Sequence, residues 1–332
     1  MPGITGIANT FNLPNYVGEL FAESPQDTPF LSSIGGLSGG KRTTTTLHQW
    51  QGYNLRDAAD DRQRLEGADA PPGEARTRFN VTNVVEIHQE VVEVSYTKLA
   101  ATGQYATTAS NAPGAVGVAG SNPVLDEADW QIRQSLMQIA RDIEQTFITG
   151  TFAQPADNTA PRRTRGILEA IETNAIDADG AALTHDTVID LLQAVWEAGG
   201  IQESETAALM CNGFQKRMLT KLFVTDANYQ EQTRTVGGVS VSQIITDFGV
   251  LNVMLNRYMP SDTVAAVSLG QCAPVFLEIP GKGFLFAEPL AKVGAADRVQ
   301  LYGEIGLEYG NEKAHGKITG LATAVAAPGG GS

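Results

Sequence analysis

The amino-acid sequence predicts an α+β fold in which one long helix separates two different halves. Residues 122–150 carry apolar side chains at spacings of three and four, a pattern typical of an amphipathic helix. A β-rich stretch with polar interruptions precedes this helix, and a mixed region of helical and strand-like patterns follows it. These three observations define the fold class.

The long helix has clear start and stop signals. Asn122 is a good N-cap residue, Pro123 suits the first helical position, and Gly150 ends the pattern. At about 1.5 Å per residue the helix is roughly 40 Å long, enough to cross a whole domain. Its apolar stripe predicts a core contact made by Leu125, Ile132, Leu136, Ile139, Ile143 and Phe147.

Composition narrows the classes of function. A chain of 332 residues can bury a large core and form two lobes. Only 18% of its residues are charged, below the usual quarter, which favours a surface partly covered by other copies. The net charge of −14 argues against tight nucleic-acid binding, which needs clustered Lys and Arg.

The cysteines and the absence of long apolar runs indicate the cellular compartment. Cys211 and Cys272 lie in apolar, strand-like runs, which predicts buried free thiols in a reducing environment. The N-terminus lacks the basic-then-apolar pattern of a signal peptide. No apolar run approaches the roughly 18 residues that a membrane span requires. We therefore expect synthesis in a cytoplasm and no membrane partner.

Residues 1–37 are predicted to form an extended arm, because prolines interrupt them throughout. A disordered tail would not usually carry many large apolar groups, whereas this segment does. We expect it to bind across a neighbouring surface, and packing on its own domain is the open alternative. The candidate contact residues are Phe11, Tyr16, Phe21 and Phe30.

Residues 41–96 predict two strands that enclose a polar segment, residues 54–74. A loop of this length inside a compact domain is usually functional, and a two-stranded arm is marginally stable alone. We therefore expect a partner surface; a solvated loop is the alternative. The charge pairs predicted for that contact are Arg56, Asp57, Asp61, Arg62, Arg64 and Glu66.

One basic cluster, Arg162, Arg163 and Arg165, follows the long helix. It is the only such cluster in an acidic chain. Two interpretations stay open at this point, a surface that faces nucleic acid and a surface that forms salt bridges.

The search for catalytic chemistry finds no motif. His48 and His88 lack a third ligand at metal-binding spacing. Gly35, Gly40 and Lys41 approach a phosphate-binding loop, but Arg42 stands where Ser or Thr is required. We therefore expect no enzyme, no metal and no cofactor. An α/β enzyme with an unrecognised site is the distant alternative.

Several segments carry a family resemblance. They are NLPNYVGELF, DTPFLSSIGG, ARDIEQTFITG, RTRGILEAIETN, ITDFGVLNVMLNRYMP and GEIGLEYGNEKAHGKITGL. Together with the order of the elements, they resemble the major capsid proteins of tailed bacteriophages, which have the Hong Kong 97-type fold. The resemblance is to a branch that lacks a fused scaffold domain.

The resemblance implies a division of the chain into the parts of such a subunit. These are an N-arm (1–37), an extended β-hairpin loop (38–100), a peripheral domain (101–179) with a spine helix (122–150), a mixed α/β axial domain (180–280), return strands of the peripheral domain (281–325) and a flexible tail (326–332).

The resemblance also implies a function. Pentamers and hexamers of this subunit would form an icosahedral head shell around a double-stranded DNA genome, assembled in the host cytoplasm and kept in the virion. The portal is an implied partner, with weak DNA contact on the inner face. The alternatives for assembly are a separate scaffolding protein or none, and a shell with or without a cement or decoration protein. An encapsulin-type compartment for cargo proteins is the closest alternative.

Two departures from the family pattern limit which family properties are expected of this chain. Some members join subunits through a Lys–Asn bond whose lysine lies on the extended loop. Here no lysine occurs between Lys41 and Lys98, so we expect noncovalent contacts. No long charged helical segment precedes the arm, so we expect no large N-terminal cleavage.

Overall fold

The computed structural model describes residues 26–55, 58–100, 127–201, 207–225 and 243–324. The described residues divide into two compact units. Unit 1 takes residues from Gln89–Gln138 and Ala287–Leu301, and unit 2 takes residues from Thr28–His88, Ile139–Phe286 and Tyr302–Ser332.

The helices in the described residues are α1 (Pro29–Ser33), α2 (Tyr96–Ala100), α3 (Glu127–Thr149), α4 (Ile167–Ala170), α5 (His185–Glu197) and α6 (Gly213–Thr225). The strands are β1 (Lys41–Thr43), β2 (Leu47–Tyr53), β3 (Arg78–Val84), β4 (Glu86–Ser95), β5 (Ala175–Asp177), β6 (Ala207–Cys211), β7 (Gln243–Thr246), β8 (Gly249–Leu255), β9 (Val264–Ser268), β10 (Ala273–Leu277), β11 (Leu285–Pro289), β12 (Ala296–Glu308) and β13 (Gly316–Thr319).

A six-stranded sheet forms one core of unit 2, with the strand order β5-β13-β9-β6-β8-β7. β6 and β9 are buried along their whole length, as continuous apolar runs require. One face of the sheet packs against α5 and α6 through a cluster that includes Leu191, Val195 and Leu219. Thr184 caps α5 by accepting a hydrogen bond from the Thr187 N–H, as its sequence position predicts.

The pairing of this sheet crosses the boundaries predicted for the axial domain. β5 and β13 belong to the sheet although they lie outside residues 180–280. β10 lies inside that range but pairs with β1 and β12 in a second, five-stranded sheet. Periodicity identifies a strand, but it does not specify the distant strand with which it pairs, so these boundaries needed the structure.

The second sheet has the order β1-β10-β12-β11, with β4 also paired to β12. The sequence predicted one strand over residues 41–50, whereas the structure divides it into β1 and β2. Thr43 and Thr45 lie at the division, where the Thr45 hydroxyl donates to the Leu47 carbonyl at 2.7 Å. Such local side-chain bonds compete with a continuous ladder.

The long helix is present as α3 and ends at the predicted glycine. Gly150 is required there, because a Cβ atom would lie 2.7 Å from the Thr164 carbonyl oxygen. Ile139, Ile143 and Phe147 are buried, but Ile132 and Leu136 are only half-buried. This corrects the prediction of a core stripe along the whole helix, since an amphipathic pattern gives the buried face but not how deeply it is covered. Leu125 lies outside the described residues.

The two cysteines are buried free thiols, as predicted. Burial raises the pKa of Cys211 to about 11, and it also raises the pKa of Cys272. Both groups therefore stay protonated and unreactive at neutral pH. Among the described helices, none combines the length and apolar character needed to cross a bilayer.

Candidate assembly surfaces

The predicted hairpin is formed by β2 and β3, which pair antiparallel from Leu47 opposite Val84 to Tyr53 opposite Arg78. Its base is attached to unit 2. Trp50 donates from Nε1 to the Gly310 carbonyl at 2.7 Å and packs its ring edge-on against Tyr309. The hairpin is thus supported at one end by a hydrogen bond and an aromatic contact.

Asn83 is the polar centre of this base, and its side chain is fully buried. Its Nδ2 donates to the carbonyls of Leu307 (2.7 Å) and Arg165 (3.1 Å). Its Oδ1 accepts from the backbone N–H of Arg165 (2.8 Å) and of Val84 (2.9 Å). The amide therefore joins β3, the end of β12 and the segment before α4. The only signal in the sequence was a lone Asn within the apolar run around Val84 and Val85.

A glycine allows the base to approach β12 closely. At Gly306 a Cβ atom would lie 2.8 Å from the Val84 carbonyl oxygen and 2.9 Å from Cε1 of His48. His48 lies 3.3 Å from the Leu307 carbonyl through Nε2. Burial lowers the pKa of His48, and the Leu307 carbonyl and Glu308 oppose that shift only in part.

The far end of the hairpin is exposed and apolar. Tyr53 is 70% exposed and Leu65 is 86% exposed, and Leu55 and Phe79 are at least half exposed. Aromatic and large aliphatic groups in this state are typical of interfaces rather than of a free surface. The sequence prediction named charged residues in this loop and missed these apolar ones.

Some of the charged residues in and beside the loop pair with one another. Arg62 contacts Glu74 at 2.7 Å, and Arg76 contacts the same carboxylate at 3.3 Å. These two hydrogen bonds lower the pKa of Glu74. Arg64 donates to the Asp61 carbonyl at 3.5 Å. Asp61 and Glu66 are exposed, and Arg56 and Asp57 lie outside the described residues.

Phe30 does not behave as an arm residue. It lies on α1, is fully buried, and is followed by the equally buried Leu31. Residues 29–38 are helix and turns rather than extended chain, with Gly36 donating to the Leu31 carbonyl. Phe30 therefore belongs to the core of its own chain, which corrects its assignment to the N-arm contact. The other predicted arm residues, Phe11, Tyr16 and Phe21, lie outside the described residues.

Most of the basic cluster forms salt bridges. Arg162 contacts Glu304 at 2.8 Å. Arg165 lies over the Phe152 ring and 3.8 Å from Glu169. The remaining arginine, Arg163, is exposed. The salt-bridging interpretation therefore applies to two of the three arginines.

Glu304 also accepts a hydrogen bond from the Tyr302 hydroxyl, at 2.8 Å. Burial, together with this carboxylate, raises the pKa of Tyr302 to about 12. Arg162, Glu304 and Tyr302 are thus a connected polar group on unit 2 rather than free charges.

A polar cavity of about 250 Å³ lies beside the end of α3, lined by groups that include Glu86, Asp142 and Arg163. Burial raises the pKa of Glu86 and lowers the pKa of the adjacent His88. The hairpin register places Asn83, not His88, opposite His48. In the described part of the chain, no three His, Cys, Asp or Glu side chains are arranged to hold a metal ion.

The sequence of the whole chain is similar to those of capsid proteins. A family model described as SU10 major capsid protein matches residues 3–322. The major capsid protein of Escherichia phage Phieco32 is 23% identical over 360 residues, which cover 92% of this chain and 93% of that protein.

Solved structures share the fold at low sequence identity. The capsid of Cyanophage A-1(L) superposes with a TM-score of 0.63 at 13% identity, covering 94% of this chain and 98% of that one. The SrpI encapsulin of Synechococcus elongatus superposes with a TM-score of 0.58 at 12% identity, covering 95% of this chain and 94% of that one. At these identities the likeness shows the fold alone.

Proposed function

Because this chain belongs to the SU10 major capsid protein family, a family of phage capsid subunits with the Hong Kong 97-type fold, we propose that noncovalent hairpin and arm contacts build its shell. Capsid proteins assemble into multimeric shells by self-association, and this chain is a capsid component of the virion. The proposal specifies an icosahedral head made of pentamers and hexamers.

The hairpin is the single observation that carries this proposal. Its base is attached through Trp50 and Asn83, whereas Tyr53 and Leu65 at its far end are exposed. Burial of apolar surface is favourable by about 25 cal/mol per Å², so the exposed apolar end of the hairpin gains stability when a second copy covers it. A symmetric shell provides the same partner surface to every copy.

The proposed contents are double-stranded DNA, contacted weakly. The net charge of −14 disfavours tight binding to phosphates, and Arg162 and Arg165 are already paired with carboxylates. We expect free subunits to bind DNA weakly and in a salt-sensitive way. Tight binding at moderate salt would contradict this part of the proposal.

The remaining assignments are proposed by analogy with the family. The N-arm, extended loop, peripheral domain, axial domain, return strands and tail keep the proposed roles, with the arm shortened to the residues before Thr28. The portal, a separate scaffolding protein and a cement or decoration protein are proposed partners. Assembly is proposed to occur in the host cytoplasm and to involve no catalytic step by this chain.

Sedimentation and cryo-electron microscopy of the purified full-length protein test the proposal. We expect large closed shells with five-fold and six-fold clusters of subunits. A stable monomer would contradict the proposal. The double variant Tyr53→Ser/Leu65→Ser should stay folded and fail to form shells, because it removes only exposed apolar groups.

The contents of particles from infected cells separate the two shell functions. Nuclease-protected double-stranded DNA supports a phage head. A specific packaged protein without DNA supports the encapsulin alternative. The SrpI encapsulin shares the fold of this chain.

A further inference from the structure

Glu144 is a fully buried carboxylate in the second half of α3. Burying an ionised group is costly unless hydrogen bonds replace its hydration. Here Oε1 accepts from the Phe30 N–H at 2.8 Å, and Oε2 accepts from the Leu31 N–H at 2.6 Å. The side-chain amide of Asn256 donates to Oε1 as well. These N–H donors from α1 and from Asn256 converge on one carboxylate.

The chemistry of this arrangement requires an acceptor-only side chain. The donors are two backbone N–H groups and an amide NH₂, and none of them can accept in return. A glutamine would place its own NH₂ against at least one of these donors. Thr28, the N-cap residue of α1, makes no side-chain capping bond. Glu144 supplies from another helix the acceptor that α1 lacks locally.

The position of this carboxylate gives it a further role. Phe30 and Leu31 are the first buried residues after the proposed arm. Asn256 follows β8, accepts from the Tyr258 N–H at 2.9 Å, and donates its backbone N–H to the Cys211 carbonyl of β6. Glu144 thus connects α1, the long helix and the six-stranded sheet within unit 2.

We infer that Glu144 is a positioning residue for assembly, which clamps the root of the N-terminal arm and sets where the arm leaves the subunit. The inference rests on the proposed function. An arm that binds a second copy can hold the two subunits together only if the base of the arm is fixed to its own subunit. The clamp consists of the Glu144 carboxylate with the N–H groups of Phe30 and Leu31 and the Asn256 amide.

The full-length Glu144→Gln variant tests the clamp. We expect a folded subunit in which the Phe30 and Leu31 amides exchange with solvent at least about tenfold faster, as expected for the loss of one charge-assisted hydrogen bond. Chymotrypsin should gain a cleavage site at Phe30. Shell yield should fall and shell size should become heterogeneous.

Glu169→Gln is the matched control. Glu169 also accepts a backbone hydrogen bond, from the Phe152 N–H at 2.7 Å, but it lies on α4, where it pairs with Arg165. We expect this variant to keep wild-type exchange at Phe30 and Leu31 and wild-type shell size. Equal assembly defects in the two variants would reduce Glu144 to a stabilising residue and overturn the inference.

Asn256→Ala keeps the test decisive if Glu144→Gln does not fold. This variant removes one donor and leaves both backbone bonds, so exchange and shell heterogeneity should be intermediate. Wild-type exchange and wild-type shells in the variant that folds would overturn the clamp. If the wild-type protein forms no shells, the proposed function fails, and the exchange measurement still decides whether the clamp exists.

Discussion

At the scale of single residues, the buried polar groups show how the hairpin is held. His48 lies at its base with Nε2 at the Leu307 carbonyl and its ring stacked near Trp50. Burial lowers the pKa of His48, so the fold holds the neutral imidazole. Burial lowers the pKa of His88 in the same way. These two groups link the stability of the subunit to pH.

This linkage predicts the direction in which the stability of the subunit changes with pH. Below the ordinary histidine pKa of about 6.5 the unfolded chain binds a proton that folded His48 resists, so stability falls as pH decreases from 7.5 through 6.5 to 5.5. One histidine contributes a slope of at most about 1.4 kcal/mol per pH unit. Urea unfolding of the free subunit at these three pH values measures it.

The comparison between variants isolates His48 from other titrating groups. His48→Gln should show a shallower decrease than the wild type. Gln49→Ala, which changes an exposed and non-titrating residue on the same strand as His48, should keep the wild-type slope. A His48→Gln slope equal to that of the wild type would show that His48 does not contribute.

At the scale of elements, α3 is buried in its second half and half-covered in its first. Ile139 is 1% exposed and marks the beginning of the fully buried part. Ile139→Glu would place a charge there without a partner, which costs several kcal/mol of the roughly 5–15 kcal/mol that folded domains possess. We expect an unfolded or aggregated subunit and no shells, measured by circular dichroism and sedimentation.

Gln145→Glu is the control for this helix variant. Gln145 is exposed on the same helix, so the same new charge stays in water. This variant should fold and assemble. A folded, assembling Ile139→Glu subunit would contradict the burial of the stripe.

Charge reversal in the hairpin loop is expected to leave the subunit folded and to weaken the shell. Arg62→Glu replaces an attraction to Glu74 with a repulsion, but all of these groups are exposed, and exposed ion pairs add little to stability. The subunit should keep its melting temperature, whereas shells should dissociate at a lower urea concentration. Arg64→Glu should act in the same direction with a smaller effect, because Arg64 donates to a neutral carbonyl, that of Asp61, rather than to a carboxylate.

Arg217→Glu on α6 is the matched charge reversal away from the hairpin. It should leave shell dissociation unchanged. If all three reversals weaken the shell equally, net charge rather than the loop controls assembly.

At the scale of the whole molecule, the shell is expected to be noncovalent. No lysine lies between Lys41 and Lys98, so the hairpin offers no amine for an amide link to a neighbour. Denaturing gels of mature shells should show a single band at the mass of one subunit. A ladder of covalent multimers would contradict this expectation.

The sequence by itself determined the elements that have strong periodic patterns. The long helix, its terminal Gly150, the Thr184 cap and the buried strands β6 and β9 follow from local spacing and composition. These features depend on side chains that are only a few residues apart, so the sequence alone is enough to recognise them. The family resemblance, carried by short segments, led to the same subunit class that the family comparison shows.

Tertiary structure alone decided the contacts between distant residues. The burial of Phe30, the pairing of β1 with β10, and the donors around Glu144 join positions more than 100 residues apart. Arg162 finds Glu304 in the same way. Local periodicity specifies which face of an element is apolar, but the partner of a buried polar group or strand depends on how the whole chain folds. The long helix was therefore predictable, and its clamp on the arm was not.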